Sequence, residues 1–151
     1  MIEVELKAIA GPGLVAVLRN RSNQPVNVLD AEKIQPSRLL LISDSGKTVT
    51  PFDERTRQKF DRTVHEHDFE ELDPGEEMQL GEEVFERVSP GLYTLRWGPF
   101  RFREIPAGRW KAYIVFESRI DRGVDEAGKS RLVPHVWKGS TQSNTVEIRL
   151  N

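Results

Sequence analysis

The chain has 151 residues, with 22 basic and 24 acidic side chains, no cysteine and a net charge of −2. This length fits one domain over residues 1–151, since single domains cluster near about 100–150 residues. The lack of cysteine excludes disulfides, thiolate metal sites and cysteine nucleophiles. The balanced charge argues against a nucleic-acid partner, and no apolar run reaches the ~18 residues of a membrane span.

Apolar and polar residues alternate at both ends of the chain, which is the pattern of half-buried strands. The alternation predicts strands over residues 2–8, 110–116 and 145–150. Residues 14–18 are apolar on both faces, which is typical of a strand in the middle of a sheet. Trp110 opens the inward row of its strand, so we expect it in the core.

Several short segments in the middle of the chain have the composition of turns. Asp44-Ser45-Gly46 predicts a short hairpin loop, because glycine adopts left-handed conformations at low cost. Pro74-Gly75 and Pro90-Gly91 suit type II turns. Residues 81–88 fit either a short helix or a strand. Residues 51–71 form a long polar insertion, for which we expect a short strand or a turn of helix.

Strands at both ends, frequent turns between them and the lack of a sustained 3.6-residue period predict an all-β fold. We expect an antiparallel two-sheet sandwich of about seven to nine strands.

Short segments along nearly the whole chain resemble a bacterial immunoglobulin-like or fibronectin-type-III-like sandwich. They are Leu18-Arg19-Asn20 with Asn23-Gln24-Pro25-Val26, the turn at 72–76, the Ile-Pro-x-Gly corner leading from Ile105 into Tyr113, and the closing segment 143–148. The chain departs from the pattern by lacking a disulfide, by its long insertion and by having Trp110 where a corner tyrosine is expected. The resemblance implies an immunoglobulin-like fold and no particular activity, since sandwiches host many functions.

Arginines interleave with aromatic residues shortly after the middle of the chain. The candidate partner-binding residues are Arg96, Trp97, Phe100, Arg101 and Arg103. Gly98-Pro99 predicts a tight turn that displays both aromatics, and tryptophan and arginine dominate binding hot spots. The alternative is simple alternation, with the aromatics in the core and the arginines in water.

His65 and His67 are the candidate metal ligands. In an extended segment their side chains share a face, where two imidazoles can bind one metal ion and His135 or a carboxylate can complete the site. The alternative is a solvated loop in an acidic stretch. No other pattern implies a cofactor.

Charge is distributed unevenly along the chain. Residues 64–86 contain ten acidic side chains and no lysine or arginine, whereas residues 87–122 contain eight basic and three acidic side chains. Such blocks can steer a charged partner or join two copies. Alternatively, they lie on adjacent strands and neutralise each other.

Catalytic motifs are missing from the sequence, which has no Gly-x-Ser-x-Gly elbow and no phosphate-binding or dinucleotide-binding glycine loop. We therefore expect a non-enzymatic interaction module that needs no cofactor and binds a protein or saccharide partner through its loops. One alternative is an inhibitor that inserts loop 51–71 or loop 121–137 into a protease or hydrolase cleft. Another is a metal-binding domain at the two histidines.

Two further expectations concern the cellular setting. Asn20-Arg21-Ser22 matches a glycosylation sequon, which matters only in a eukaryotic secretory pathway. If a signal segment was removed ahead of Met1, the protein is periplasmic or secreted. The sequence does not specify an oligomeric state.

Overall fold

A computed structural model describes residues 1–30, 37–54 and 63–151. Part of the predicted insertion, residues 55–62, lies outside the described residues. The described chain forms fifteen strands, and Glu66–Asp68 form a 3-10 turn. The all-β class is therefore confirmed. The strands outnumber the expected seven to nine because several of them contain only two to four residues.

The strands follow each other in chain order. In the first half they are β1 (Ile2–Ile9), β2 (Gly13–Asn20), β3 (Val26–Leu29), β4 (Ser37–Ser43), β5 (Phe52–Asp53), β6 (Phe69–Leu72) and β7 (Glu77–Val84). In the second half they are β8 (Glu86–Ser89), β9 (Leu92–Trp97), β10 (Phe100–Pro106), β11 (Gly108–Ser118), β12 (Arg122–Val124), β13 (Ser130–Leu132), β14 (Gly139–Gln142) and β15 (Val146–Leu150).

Three larger antiparallel sheets contain most of these strands. The first sheet has the order β1-β2-β7, and the third has the order β5-β10-β9-β8. In the second sheet β11 is central, with β4 on one side and both β15 and β14 on the other. Two small ladders, β3-β6 and β12-β13, complete the fold.

The four strands expected from alternation are all present, as β1, β2, β11 and β15. Leu14 and Leu18 are fully buried, and β2 lies between β1 and β7, so its central place in a sheet is confirmed. Trp110 is buried as expected, and its Nε1 donates a hydrogen bond to the Pro106 carbonyl at 2.8 Å.

Residues 81–88 are extended, so the helical alternative for them is wrong. β7 ends at Val84, Phe85 is buried in the core, and β8 begins at Glu86. A strand that changes sheet at a buried aromatic residue satisfies backbone hydrogen bonds on both sides of the bend. The predicted loop at 44–46 is also present, with Gly46 at a φ of 83° and Ser43 N donating to the Lys47 carbonyl at 2.8 Å.

Two asparagines stabilise the junctions between these elements. The buried Asn20 amide nitrogen donates to the carbonyls of Gln24 and Leu72, each at 2.9 Å, and its oxygen accepts from Ser22. The sequon asparagine is therefore enclosed and hydrogen-bonded in the folded chain. Asn144 bonds both the N–H and the carbonyl of Leu6 at 2.9 Å, as a neighbouring strand would.

No helix in the described ranges has the length and apolarity needed to cross a membrane.

Candidate functional site

The hairpin β9-β10 contains all five residues predicted to bind a partner. Its register places Trp97 opposite Phe100 and Arg96 opposite Arg101. Trp97 is only 1% exposed, so the expectation that the turn displays it is wrong. Strand alternation directs its indole inward, where the ring covers Gly81 and Nε1 donates to the Ser37 hydroxyl at 3.4 Å.

Phe100 is half-buried and packs against the hydrophobic core, so the turn does not project it as a free aromatic anchor. The alternative prediction, simple strand alternation, describes this hairpin better, since the aromatic residues face inward and the arginines face outward. The part of the predicted site that remains accessible is therefore its arginines.

Glu54 joins Arg96 and Arg101, which lie directly opposite each other on β9 and β10. Its carboxylate accepts hydrogen bonds from Arg96 Nη2 at 2.9 Å and from Arg101 Nε at 3.0 Å. The Glu54 backbone N–H donates to the Pro99 carbonyl at 3.0 Å, which places the carboxylate beside the turn. The hydrogen bonds from Arg101 and Arg96 lower the pKa of the Glu54 carboxyl below its ordinary value.

Arg103 extends this surface along β10. Its guanidinium carbon lies 4.7 Å from the ring centroid of Phe52, a cation–π arrangement. Phe52 pairs with Arg101 in the β5-β10 ladder, so the ring and the arginines share the outer side of the sheet. We call this surface the arginine face, and it consists of Phe52, Glu54, Arg96, Arg101 and Arg103.

The arginine face suits recognition of anionic or planar groups. Guanidinium groups form paired hydrogen bonds with carboxylates and stack on flat surfaces, and here a carboxylate and a phenyl ring already hold them in position. The residues predicted to bind a partner did not include Phe52 or Glu54, because β5 has only two residues and Glu54 lies 47 positions from Arg101. Only sheet pairing brings them together.

The two candidate metal ligands also lie together. The rings of His65 and His67 are stacked, with centroids 5.0 Å apart and planes 9° apart. They line a groove of about 520 Å³ beside Val124, Asp125 and Glu126. In the ranges that the structure describes, no group of three or more histidine, aspartate and glutamate side chains is placed to hold a metal ion. His135 therefore does not complete a site there.

The acidic and basic blocks do not neutralise each other through the ion pairs that the described residues form. Arg96 and Arg101 of the basic block pair with Glu54, outside the acidic block. Glu77 of the acidic block pairs with Arg19 on β2, because β7 lies beside β2. The interpretation of adjacent, mutually neutralising strands is therefore not supported, and the arginine face keeps a net positive charge.

Comparison with known proteins finds no family model that matches the sequence and no similar curated protein.

Proposed function

We propose that this chain is a non-catalytic interaction module of the immunoglobulin-like sandwich class that binds an acidic protein surface through its arginine face. The observation that carries the proposal is that the Glu54 carboxylate accepts a hydrogen bond from each of the opposed side chains of Arg96 and Arg101. Arginine is enriched at interfaces because its planar, weakly hydrated guanidinium gives directed hydrogen bonds at low desolvation cost.

Preorganisation supports the same proposal. Ordering a long side chain on binding costs about 0.5–1.5 kcal/mol, and less is lost when the side chain is already held in place. Arg96 and Arg101 are held by Glu54, and Arg103 is held over Phe52. The Arg96 side chain is nevertheless 56% exposed, so its guanidinium stays accessible to a carboxylate of a partner.

The test measures salt-dependent retention of the purified domain on an immobilised polyglutamate peptide. A triple variant with Arg96→Gln, Arg101→Gln and Arg103→Gln should elute at lower salt than the parent. The matched control carries Arg38→Gln, Arg119→Gln and Lys129→Gln, which removes three exposed positive charges elsewhere. The control should elute close to the parent.

Equal losses in the two triple variants would mean that net charge alone sets retention, and they would overturn the proposal. Stronger and position-specific retention on an uncharged glycan column would indicate a saccharide partner instead. Circular dichroism of each variant verifies that the sheets are retained.

An inhibitor that inserts a loop is the second candidate, and the hairpin β12-β13 favours it. The hairpin is anchored where Val124 N donates to the Val64 carbonyl at 2.8 Å. At its tip Asp125 accepts from the backbone N–H groups of Ala127 and Lys129 and pairs with Arg131. Leu132, 62% exposed, is available to a cleft. Inhibition of a protease panel, abolished by Leu132→Ser, would support this function over the first.

A further inference from the structure

A second pair of opposed arginines lies on the outer side of the sheet formed by β4, β11 and β15. The register of β11 with β15 places Arg109 directly opposite Arg149, and both side chains are exposed. Like charges directly opposite each other on neighbouring strands destabilise a sheet. The two guanidinium groups of this pair therefore repel each other, and an anion bound between them would relieve that repulsion.

The arginine face shows how the fold compensates such a pair elsewhere. Arg96 and Arg101 are also directly opposite each other, and Glu54 accepts a hydrogen bond from each. Among the residues that the structure describes, no carboxylate forms an ion pair with Arg109 or Arg149. Arg109 and Arg149 therefore face each other as Arg96 and Arg101 do, but no carboxylate of the described residues bridges them as Glu54 bridges the other pair.

A cavity of about 230 Å³ lies beside the second pair. Arg109, Glu147, Ile148 and Arg149 line it. Ile148 is buried on the core side, so the backbone of β15 forms the floor. Glu147 contributes one negative charge to this lining, against two positive charges from Arg109 and Arg149. The two guanidinium groups therefore leave the cavity net positive.

We propose that this cavity binds a phosphate group between Arg109 and Arg149. Each guanidinium offers several N–H donors in one plane, and two such groups on facing strands suit an oxyanion that accepts from both sides. The cavity is larger than the anion, which leaves room for part of a group esterified to it. The site lies on a different sheet from the arginine face, so each proposal can fail alone.

The test follows arginine Nε–H and backbone amide resonances of the ¹⁵N-labelled protein by NMR during titration with inorganic phosphate and, separately, with phosphoserine. Ionic strength is held constant with sodium chloride. Saturable shifts at Arg109 and Arg149 are expected. Arg109→Gln and Arg149→Gln should each weaken binding by about tenfold or more, since each removes charge-assisted hydrogen bonds. Arg119→Gln, at an exposed arginine outside both opposed pairs, is the matched control and should bind as the parent does.

Tighter binding of phosphoserine would identify an esterified phosphate as the ligand, and tighter binding of inorganic phosphate would identify the free anion. Absence of saturation, or the same loss of affinity in Arg119→Gln, would overturn the proposal. A second measurement uses stability at low salt without phosphate. There Arg149→Gln should raise the melting temperature or leave it unchanged, because it removes a repulsion. A fall would show that the protein already compensates the pair, and the proposal would fail.

Discussion

Gly81 of β7 and Trp97 of β9 are packed so closely that a Cβ atom on Gly81 would lie 2.9 Å from Cη2 and 3.0 Å from Cζ2 of the indole. The ring of Trp97 thus occupies the space that a side chain at Gly81 would fill. This contact joins the first sheet to the third and explains why the tryptophan beside the Gly98-Pro99 turn belongs to the core.

Gly81→Ala should lower the free energy of unfolding by about 1–3 kcal/mol, the usual cost of overpacking a core. Trp97→Ala should cost about 3–5 kcal/mol, because it removes a large buried ring. Urea denaturation measures both. Gln79→Ala changes an exposed position on the same strand and should be nearly neutral.

Quenching provides an independent check on the position of Trp97. With Trp110 and Trp137 replaced by Phe, the remaining fluorescence should resist acrylamide. Strong quenching, or a Gly81→Ala protein as stable as the parent, would place the indole at the surface and contradict the contact.

The strands were predictable where alternation was regular and long. Residues 2–8 and 110–116 show it clearly, and both lie in strands that pack one face on the core. The orientation of Trp97 was not decided by its neighbours in sequence, since a Gly-Pro turn and strand alternation gave opposite answers. The indole of Trp97 points inward because Gly81, sixteen positions away in sequence, has no side chain and leaves room for the ring.

The arginine face shows the same limit for the candidate site. Its arginines were found from sequence because they interleave with aromatic residues. Glu54 and Phe52 were not, because a two-residue strand carries no periodicity and its partner strand is distant in sequence. The opposed pair Arg109 and Arg149 depends on a register that the sequence of either strand alone does not contain.

Asn20 can be used to measure how much the hydrogen bonds of a buried side chain stabilise the protein. Asn20→Ala removes the donors to the Leu72 and Gln24 carbonyls. Each buried group left without a partner costs about 1–3 kcal/mol, so we expect a loss of at least about 2 kcal/mol in unfolding free energy. Asn23→Ala, at an exposed position of the same turn, should be nearly neutral. A parent-like melting temperature for Asn20→Ala would show that water replaces the amide.

The Asn20 sequon has a second measurable consequence. An oligosaccharyltransferase and its glycan donor, added to the already folded domain, should leave its mass unmodified, because the folded structure encloses the amide nitrogen. A glycan attached to the folded protein at Asn20 would show that this turn opens.

The side chain of Asn144 covers backbone hydrogen-bonding groups at the edge of β1. It bonds both backbone groups of Leu6. Asn144→Ala should therefore speed hydrogen exchange at the Leu6 amide, while the exposed control Gln142→Ala should not. Asn144→Asp keeps the acceptor for the Leu6 N–H and loses only the donor, so its amide should stay better protected than in Asn144→Ala. Equal exchange in all variants would show that another group covers this edge.

Glu54 gives the pH dependence of the arginine face. Hydrogen bonds from Arg101 and then Arg96 lower the pKa of this carboxyl from its ordinary value of 4.5. A lowered pKa in the folded state stabilises the protein above the unfolded-state pKa, and this contribution is lost as pH falls through the folded-state value. Glu54→Gln should therefore be less stable than the parent at pH 7, by about 1 kcal/mol or less because solvent partly screens the carboxylate, whose side chain is 32% exposed.

The difference between parent and Glu54→Gln in unfolding free energy should shrink as pH falls below about 4.5, where the unfolded-state carboxyl protonates. It should also shrink in high salt, since exposed charges are screened. Glu70→Gln, an exposed carboxylate on β6, is the control and should show a smaller difference at pH 7. A Glu54→Gln difference that stays constant from pH 7 to strongly acidic pH would mean that the glutamate side chain stabilises β5 by packing, and that its charge does not organise Arg96 and Arg101.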